Sequence, residues 1–227
     1  MWIKICANTN LDDAQLAAEL GADAVGFVFA PSMRRVTAAE VARITPHLPE
    51  GVERVGVFPA LAAEEIANAA DEAGLNAVQL HGGVNLALLR QLHDIFDDRV
   101  KLIQTVHWRV NGDSASAADV ARHLQVVAAE GLVDRVLIDS SIGSATGGTG
   151  VSFNWNDARS TLAESTAGLK LIVAGGLRHD NVAWAIQCLT PWGVDVASGV
   201  EESPGKKSHE RLAAFIQAAR NANANIR

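Results

Sequence analysis

The sequence predicts an α/β fold, a parallel (βα)8 barrel of the TIM type. Short apolar segments rich in β-branched residues alternate along the chain with longer segments whose apolar residues recur three and four positions apart. Strands that alternate with helices of this length form parallel βαβ units, because a parallel return needs a crossover. Eight such repeats in 227 residues are close to the roughly 250 usual for a barrel, which favours closure over an open sheet.

The predicted strands are near-continuous apolar runs, as expected where both faces are buried. They cover residues 2–6, 24–29, 52–58, 77–80, 100–106, 135–139, 169–174 and 194–198. The helical pattern is clear in LDDAQLAAELGA, TAAEVARITPHL and AAEEIANAADEAG. Since no low-complexity linker interrupts the alternation, we expect a single domain over residues 1–227. A six-stranded Rossmann-like sheet is the alternative, but CANTN after the first strand lacks the GxGxxG fingerprint.

Composition excludes several classes of function. A net charge of −7 and the lack of a basic run argue against a nucleic-acid partner. The two cysteines, Cys6 and Cys188, are far apart, so no disulfide framework is expected and a reducing, cytoplasmic setting fits. The N-terminus is too soon interrupted by polar residues for a secretory signal, and no apolar run is long enough to span a membrane.

Cys6 ends the first predicted strand, and in a barrel the functional side chains lie at such carboxyl ends. Lys4 lies two residues earlier on the same face, where its charge favours the thiolate. A buried, inert cysteine is the alternative, which we adopt for Cys188 in the helical segment NVAWAIQCL. Thr9 is the expected N-cap of the first helix, with Asp12 at the capping-box position.

Polar side chains also follow the second and fourth strands. Arg34 and Arg35 in FAPSMRRVT can each bind a carboxylate through a bidentate fork, although a solvated surface arginine is the default. Gln79 and His81 in VQLHGG can hydrogen-bond a substrate or each other, or serve the structure alone. The seven histidines form no HExxH or His-x-His pair, so the sequence predicts no metal centre.

Asp139 ends the sixth strand, RVLID, and precedes SSIGSATGGTG, a long connection for a βα unit. A carboxyl group at this rim acts as a general acid if its pKa is raised, whereas the alternative is a turn or helix-capping aspartate. With Cys6 it makes one acid and one base, the minimum for moving protons between adjacent carbons. The loop that follows Asp139 is a candidate lid.

Three glycine-containing segments predict a phosphate site. Each alone is typical of a tight turn, but two of them follow the last two strands, where many barrels bind phosphate through backbone N–H groups. The residues are Gly147, Gly148, Gly175, Gly176, Ser198 and Gly199.

Four motifs occur along the chain in this order: KIC, QLHG, LID followed by GGTG, and DVASGVE followed by PGKK. Through this combination the sequence resembles the phosphoribosylanthranilate isomerases over nearly the whole chain. This resemblance implies a (βα)8 barrel that needs no metal or organic cofactor. It also implies an Amadori rearrangement in tryptophan biosynthesis, from N-(5'-phosphoribosyl)anthranilate to 1-(2-carboxyphenylamino)-1-deoxyribulose 5-phosphate.

The resemblance also implies roles for residues. Asp139 would protonate the ribose ring oxygen and open the furanose to a Schiff base, and Cys6 would remove the proton from the second sugar carbon. The glycine-containing segments would hold the phosphate. An arginine after the second strand would hold the anthranilate carboxylate: the S-x-R-x-V pattern selects Arg34, which we prefer, whereas counting from the strand end selects Arg35. Ala7 stands where the family usually has glycine, which bears on the local backbone angle.

Other functions compete with this one. Indole-glycerol-phosphate synthase shares the phosphate site, but its ring closure would use lysine and glutamate at several strand ends, which we do not find. A non-catalytic or altered-specificity phosphosugar-binding barrel is the other class, which Ala7 leaves open. Isomerases that also act on the histidine-pathway aminoaldose have paired aspartates in place of the Cys/Asp pair. The resemblance implies a small-molecule phosphosugar-anthranilate substrate, no nucleic-acid or membrane partner, and a monomer or homodimer.

Overall fold

The computed structural model describes residues 1–110, 114–133, 135–142, 145–146, 152–166 and 168–224. The strands are, in chain order, β1 (Trp2–Ile5), β2 (Ala24–Val28), β3 (Glu53–Phe58), β4 (Ala77–Leu80), β5 (Lys101–Arg109), β6 (Arg135–Ile142), β7 (Ala145–Thr146), β8 (Lys170–Val173), β9 (Gly193–Val196), β10 (Glu201–Ser203) and β11 (Lys206–Lys207). The α-helices are α1 (Leu11–Glu19), α2 (Ala38–Val41), α3 (Ala63–Glu72), α4 (Leu86–Phe96), α5 (Ser114–Glu130), α6 (Trp155–Ser165), α7 (Val182–Leu189) and α8 (His209–Ala224). Short 3₁₀ turns cover Thr45–His47 and Ser198–Val200.

The parallel strands close into a barrel in the order β5-β4-β3-β2-β1-β9-β8-β6, and β5 pairs with β6 to complete the ring. Closure confirms the predicted (βα)8 fold, and the open Rossmann-like alternative is wrong. The two-residue β7 runs antiparallel to β6, and β10 and β11 form a separate hairpin. Among the described residues, none of the helices is both long enough and apolar enough to cross a membrane.

The predicted strands agree closely with the observed ones except at β5 and β6, which each extend three residues further. The extension arises because these two strands keep pairing up to Arg109 and Ser141. The long helix predicted over residues 37–48 is wrong: α2 ends at Val41 and a 3₁₀ turn follows. Pro46 explains the break, since it has no N–H to donate to the carbonyl four residues earlier and its ring would clash with that carbonyl in a continuous α-helix.

The predicted cap of α1 is also wrong by one residue. Asn10, not Thr9, is the N-cap, and its side chain accepts a hydrogen bond from the Asp13 N–H. Thr9 instead donates its hydroxyl to the Gly205 carbonyl at 2.6 Å. The Thr9 side chain therefore bonds to the β10–β11 hairpin instead of capping α1 as the local sequence predicts.

Side chains inside the barrel form layers, because successive residues of a strand point alternately inward and outward. An apolar layer fills the end at which the strands begin, and a larger apolar core lies between the strands and the helices. The inner layer comprises Trp2, Ala24, Val55, Ala77, Ile103, Leu137, Ile172 and Ala174. Above it most of the inward-facing residues are polar, namely Lys4, Gln79, Thr105, Asp139 and Asp195.

Candidate active site

A cavity of about 300 Å³ opens at the carboxyl ends of the strands. This volume is at the small end of the roughly 300–1,000 Å³ typical of ligand pockets. The cavity brings together most of the residues that the sequence singled out, from six of the barrel strands or the loops after them. Those residues are Cys6, Arg34, Gln79, His81, Asp139, Gly175, Gly176, Ser198 and Gly199. Gly147 and Gly148, the other predicted phosphate residues, lie outside the described residues.

A buried polar network crosses the barrel beneath this cavity. The Lys4 ammonium is fully buried and donates to Asp195 Oδ2 and to Gln79 Oε1, each at 2.9 Å. Gln79 in turn donates to the Thr105 hydroxyl at 3.2 Å. Burial is the largest single influence on the pKa of Lys4 and acts to lower it, but Asp195 and Cys6 together outweigh burial, and the pKa lies above its usual range. Lys4 is therefore a fixed positive charge, and Gln79 serves to orient it.

Cys6 lines the cavity from the end of β1 and is only 7% exposed. Burial raises the pKa of its thiol, the Lys4 ammonium lowers it, and Asp195 raises it, with a net shift upward. Lys4 favours the thiolate as predicted, but burial outweighs its effect, so the protonated thiol is the resting form. Gly26 on β2 makes room for both side chains, since a Cβ there would lie 2.8 Å from the Cys6 sulfur and from Lys4 Cε.

The backbone after Cys6 takes a conformation that suits glycine. Ala7 has a φ of 61°, in the left-handed region, which costs an L-residue on the order of 1 kcal/mol. The surrounding contacts hold it there: Lys207 Nζ donates to the Cys6 carbonyl at 2.5 Å, and Asn8 Nδ2 donates to the Ile5 carbonyl at 2.8 Å. Ala7 thus keeps the backbone angle that the usual glycine would adopt freely.

Asp139 lies on β6 two residues after Leu137, on the same inward-facing side of the strand, and is 7% exposed. Burial, helped by the Asp195 charge, raises the pKa of its carboxyl to about 7, while the Ser140 N–H and Lys4 act in the opposite direction. A carboxyl group with this pKa is partly protonated at neutral pH, as a general acid needs to be.

Two histidines lie beside Asp139. His107 is paired in register with Asp139 across β5 and β6, and its ring meets that of His81 edge to face, with 4.7 Å between the ring centroids. His107 Nε2 lies 2.9 Å from the His81 carbonyl oxygen. One possible ligand atom from each of the three residues lies within 4.8 Å of the other two. His107 was not predicted, because the predicted strand ended at residue 106.

The structure distinguishes the two arginines after β2. Arg34 is partly buried and lines the cavity. Arg35 is exposed, and its backbone forms an isolated parallel β-bridge with Val28. Arg34 donates from Nε and Nη2 to Glu201 at 2.7–3.0 Å, an arrangement that fixes the plane of its guanidinium. Glu201 also accepts from Lys207 Nζ at 3.3 Å. The geometry therefore places Arg34, the residue preferred from sequence, where a ligand in the cavity can reach it.

Close packing explains two of the predicted glycines. Gly175 has a φ of 84°, and a Cβ on it would lie 2.4 Å from the Ser140 hydroxyl, next to Asp139. A Cβ on Gly199 would lie 1.9 Å from the Leu177 carbonyl oxygen. The loops after β8 and β9 therefore touch each other beside the cavity. A side chain at either glycine would prevent these close contacts.

Sequence reasoning missed Asp195, although a signal was present. Lys4 in WIKIC and Asp195 in GVDV are each a lone charge within an apolar strand. Burying such a charge without a partner costs several kcal/mol, on the order of its desolvation penalty, so each predicts an opposite charge nearby. In a closed barrel the first and last strands are neighbours, and Lys4 is indeed paired in register with Asp195.

The chain is similar to known proteins over nearly its whole length. The family model described as N-(5'phosphoribosyl)anthranilate (PRA) isomerase matches residues 3–218. The N-(5'-phosphoribosyl)anthranilate isomerase of Thermotoga neapolitana is 40% identical over 219 residues, which cover 96% of this chain and 98% of that protein.

Solved structures agree with the sequence comparison. The crystal structure of phosphoribosyl anthranilate isomerase from Thermotoga maritima superposes with a TM-score of 0.81 at 35% identity, covering 97% of this chain and 99% of that one. A structure of such an isomerase in complex with reduced 1-(o-carboxyphenylamino)-1-deoxyribulose 5-phosphate superposes with a TM-score of 0.79 at 33% identity, with the same coverage.

Proposed function

The chain belongs to the phosphoribosylanthranilate isomerase family, and from this premise we propose that Cys6 and Asp139 are its catalytic base and acid. The protein is an isomerase of tryptophan biosynthesis that converts N-(5'-phosphoribosyl)anthranilate to 1-(2-carboxyphenylamino)-1-deoxyribulose 5-phosphate by an Amadori rearrangement. The assignment of residues rests on one observation: Cys6, Asp139 and Arg34 all line the same cavity.

Asp139 supplies the first proton. Its carboxyl group transfers a proton to the ring oxygen of the ribose, the bond from that oxygen to the first sugar carbon breaks, and the lone pair of the anthranilate nitrogen forms the C=N bond of a Schiff base. The pKa of about 7 suits this step, because the group is both protonated often enough and acidic enough at neutral pH.

Cys6 then acts as the base. Its thiolate takes the proton from the second sugar carbon, the electrons of that C–H bond form a C=C bond to the first carbon, and the C=N pair returns to nitrogen. The resulting enolamine tautomerises to the ketone. Burial of Cys6 disfavours its thiolate, and the Lys4 charge partly offsets this by stabilising the thiolate. Gly26 has no side chain and so leaves the space that the Lys4 and Cys6 side chains occupy.

The two ends of the substrate are anionic and bind on different sides of the cavity. We assign the phosphate to backbone N–H groups of Gly175, Gly176, Ser198 and Gly199, and also to those of Gly147 and Gly148, which lie outside the described residues. Arg34 binds the anthranilate carboxylate from the loop after β2. Gln79 and His81 are assigned to the middle of the site, where His81 faces the sugar and Gln79 acts through Lys4.

We further propose that residues 1–227 form one domain, which works in the cytoplasm as a monomer or homodimer on its small-molecule substrate. Support comes from the closed barrel, whose strands span Trp2 to Val196, and from both cysteines being buried and free, as a reducing compartment favours.

The activity is tested with chelator-treated protein and freshly prepared N-(5'-phosphoribosyl)anthranilate. Loss of substrate fluorescence is followed against the spontaneous hydrolysis of the substrate without protein. We expect rapid loss and formation of the ribulose product. Loss no faster than the hydrolysis background would leave the chain a phosphosugar-binding barrel without this turnover.

The pH dependence of kcat/KM is expected to rise up to about pH 7 and then to level off. The active form pairs a Cys6 thiolate with a protonated Asp139, and kcat/KM reports the free enzyme. Below pH 7 Asp139 stays protonated, so the rate grows with the thiolate fraction. Above pH 7 the thiolate fraction still grows, because the pKa of Cys6 is raised, but protonated Asp139 is lost in the same proportion.

The matched variant for this profile is Asp139→Asn, whose residual activity is expected to keep rising above pH 7, since the opposing titration is gone. A wild-type profile that instead falls as pH rises through 7 would show that the thiolate forms at much lower pH and that Lys4 outweighs burial.

Replacing Arg34 by glutamine is expected to raise KM about 10- to 100-fold with a smaller effect on kcat. A charge-assisted bidentate contact contributes about 1.5–3 kcal/mol to binding, and each 1.4 kcal/mol is tenfold in affinity. The fold is expected to survive, because Glu201 keeps Lys207 and the Gly205 N–H as partners. Arg35→Gln is the matched control and should leave KM unchanged; the reverse pattern would assign the carboxylate to Arg35.

A further inference from the structure

We propose that His81, His107 and Asp139 form an inhibitory binding site for a divalent transition-metal ion, with zinc as the best fit. The inhibitory part rests on the proposed function of Asp139 as the acid, whereas the binding part does not. The three residues come from the ends of the adjacent strands β4, β5 and β6, where His107 and Asp139 are paired in register.

The spacing suits a small ion. One possible ligand atom from each residue lies within 4.8 Å of the other two. In a tetrahedral zinc site with bonds of roughly 2.1 Å, the ligand atoms are about 3.4 Å apart. Rotations of the side chains that move each atom by an ångström or so therefore suffice, and the strand backbone need not move.

The ligand types also fit zinc. Two imidazoles and one carboxylate, with a fourth position open, are the set found in many zinc sites. Imidazole nitrogen favours zinc and other late divalent metals over magnesium or calcium, which prefer oxygen ligands. The fourth position would face the cavity, because His81 and Asp139 both line it.

The hydrogen bond of His107 sets its orientation for binding. Its Nε2 lies 2.9 Å from the His81 carbonyl oxygen, which can only accept, so Nε2 carries the proton and Nδ1 carries the lone pair. His107 Nδ1 is buried and has no hydrogen-bond partner within the described residues. A histidine that donates one ring N–H to a backbone carbonyl and offers the other nitrogen is the usual arrangement of a metal ligand.

An ion held here would stop the reaction. Asp139 would be bound as a carboxylate and would have no proton to give to the ribose ring oxygen. The ion would also occupy the cavity between β4 and β6 where the sugar is proposed to lie. Zinc is therefore expected to raise the apparent KM, and a chelator should reverse the effect.

Direct binding is measured by isothermal titration of chelator-treated, full-length protein with zinc chloride. We expect about one ion per chain, and at least tenfold weaker binding by His107→Gln and by His81→Gln, since each removes a ligand. His93→Gln is the matched control, because His93 is a partly exposed histidine on α4, outside the lining of the cavity. Circular dichroism checks that each variant is folded, and two ligand variants keep the test decisive if one is not.

The Cys6 thiol is the main competitor for zinc, so Cys6→Ser is titrated in parallel and should still bind. Cobalt(II) gives a second readout, because thiolate ligation produces an intense near-ultraviolet charge-transfer band and nitrogen and oxygen ligands do not. Binding that is lost in Cys6→Ser, or a cobalt complex with that band, would place the ion on the thiol and overturn the proposal. So would binding that is unchanged in both His107→Gln and His81→Gln.

Inhibition is then measured for each protein relative to its own metal-free rate. Zinc is expected to inhibit the wild type and the His93→Gln control, and to inhibit His107→Gln much less. The two proposals can fail separately. Zinc binding that needs both histidines in a protein without isomerase activity would leave the metal site standing, whereas an active isomerase that binds no zinc would remove the site alone.

Discussion

Replacing Cys6 by serine is expected to lower kcat by at least about 100-fold, because a positioned general base typically contributes about 10²–10⁴-fold. Serine keeps the size and position of the side chain, but its hydroxyl has a far higher pKa than a thiol. The Lys4 charge cannot compensate for so large a difference in acidity. Substrate binding should change little, since the proposed contacts to the phosphate and carboxylate lie on other strands.

The measurement is the initial rate of fluorescence loss over a range of substrate concentrations, which separates kcat from KM. Cys188→Ser is the control: Cys188 is the other buried free cysteine, and it lies on α7, away from the cavity. It should retain full kcat. If Cys6→Ser keeps near-normal turnover, Cys6 is not the base, and its position in the cavity has only a structural meaning.

Asp139→Asn is the second change with a large expected effect, a loss of about 10²–10⁴ in kcat. The amide has nearly the same shape as the carboxyl group but cannot give a proton to the ribose ring oxygen at neutral pH. Stability should not fall, because the substitution removes a buried carboxyl that lies near the Asp195 charge. Lost activity with an unchanged or higher melting temperature would therefore separate a catalytic role from a structural one.

Asp94→Asn serves as the control for this variant, since Asp94 is an exposed aspartate on α4 whose side chain is 84% accessible. It should leave both kcat and the melting temperature unchanged. Full activity of Asp139→Asn would mean that another group at the rim is the general acid. Asp139→Asn with a much lower melting temperature would show instead that the carboxyl group mainly supports the fold.

Much of the architecture follows from local patterns. Each barrel strand was recognisable as an apolar run, since a strand buried on both faces has few polar residues. Cys6 and Asp139 are candidates because a barrel places function at strand ends, so the fold prediction yields a short list of residues. Arg34 is preferred over Arg35 from the S-x-R-x-V pattern, not from its distance to the strand end. The errors were at element ends: Pro46 divided a predicted helix, and a contact with Gly205 took Thr9 from the cap of α1.

The site's electrostatics were less accessible from sequence, because they depend on distances between strands far apart in the chain. The Lys4 charge favours the Cys6 thiolate, as its position in the sequence predicts, but the sequence does not reveal that burial of the thiol outweighs this effect. The raised pKa of Asp139 likewise comes from its burial and from Asp195, and Asp195 was not singled out.

The sequence by itself determined the barrel and made Cys6 and Asp139 candidates at the carboxyl ends of its strands, because hydrophobic periodicity and the succession of strands along the chain can be read locally. Only the tertiary structure decided which of two adjacent arginines lines the cavity, which charge neutralises Lys4, and that two histidines converge on Asp139. These outcomes depend on closure of the sheet, which brings residues from distant parts of the chain within a few ångströms. No spacing along the chain encodes such distances.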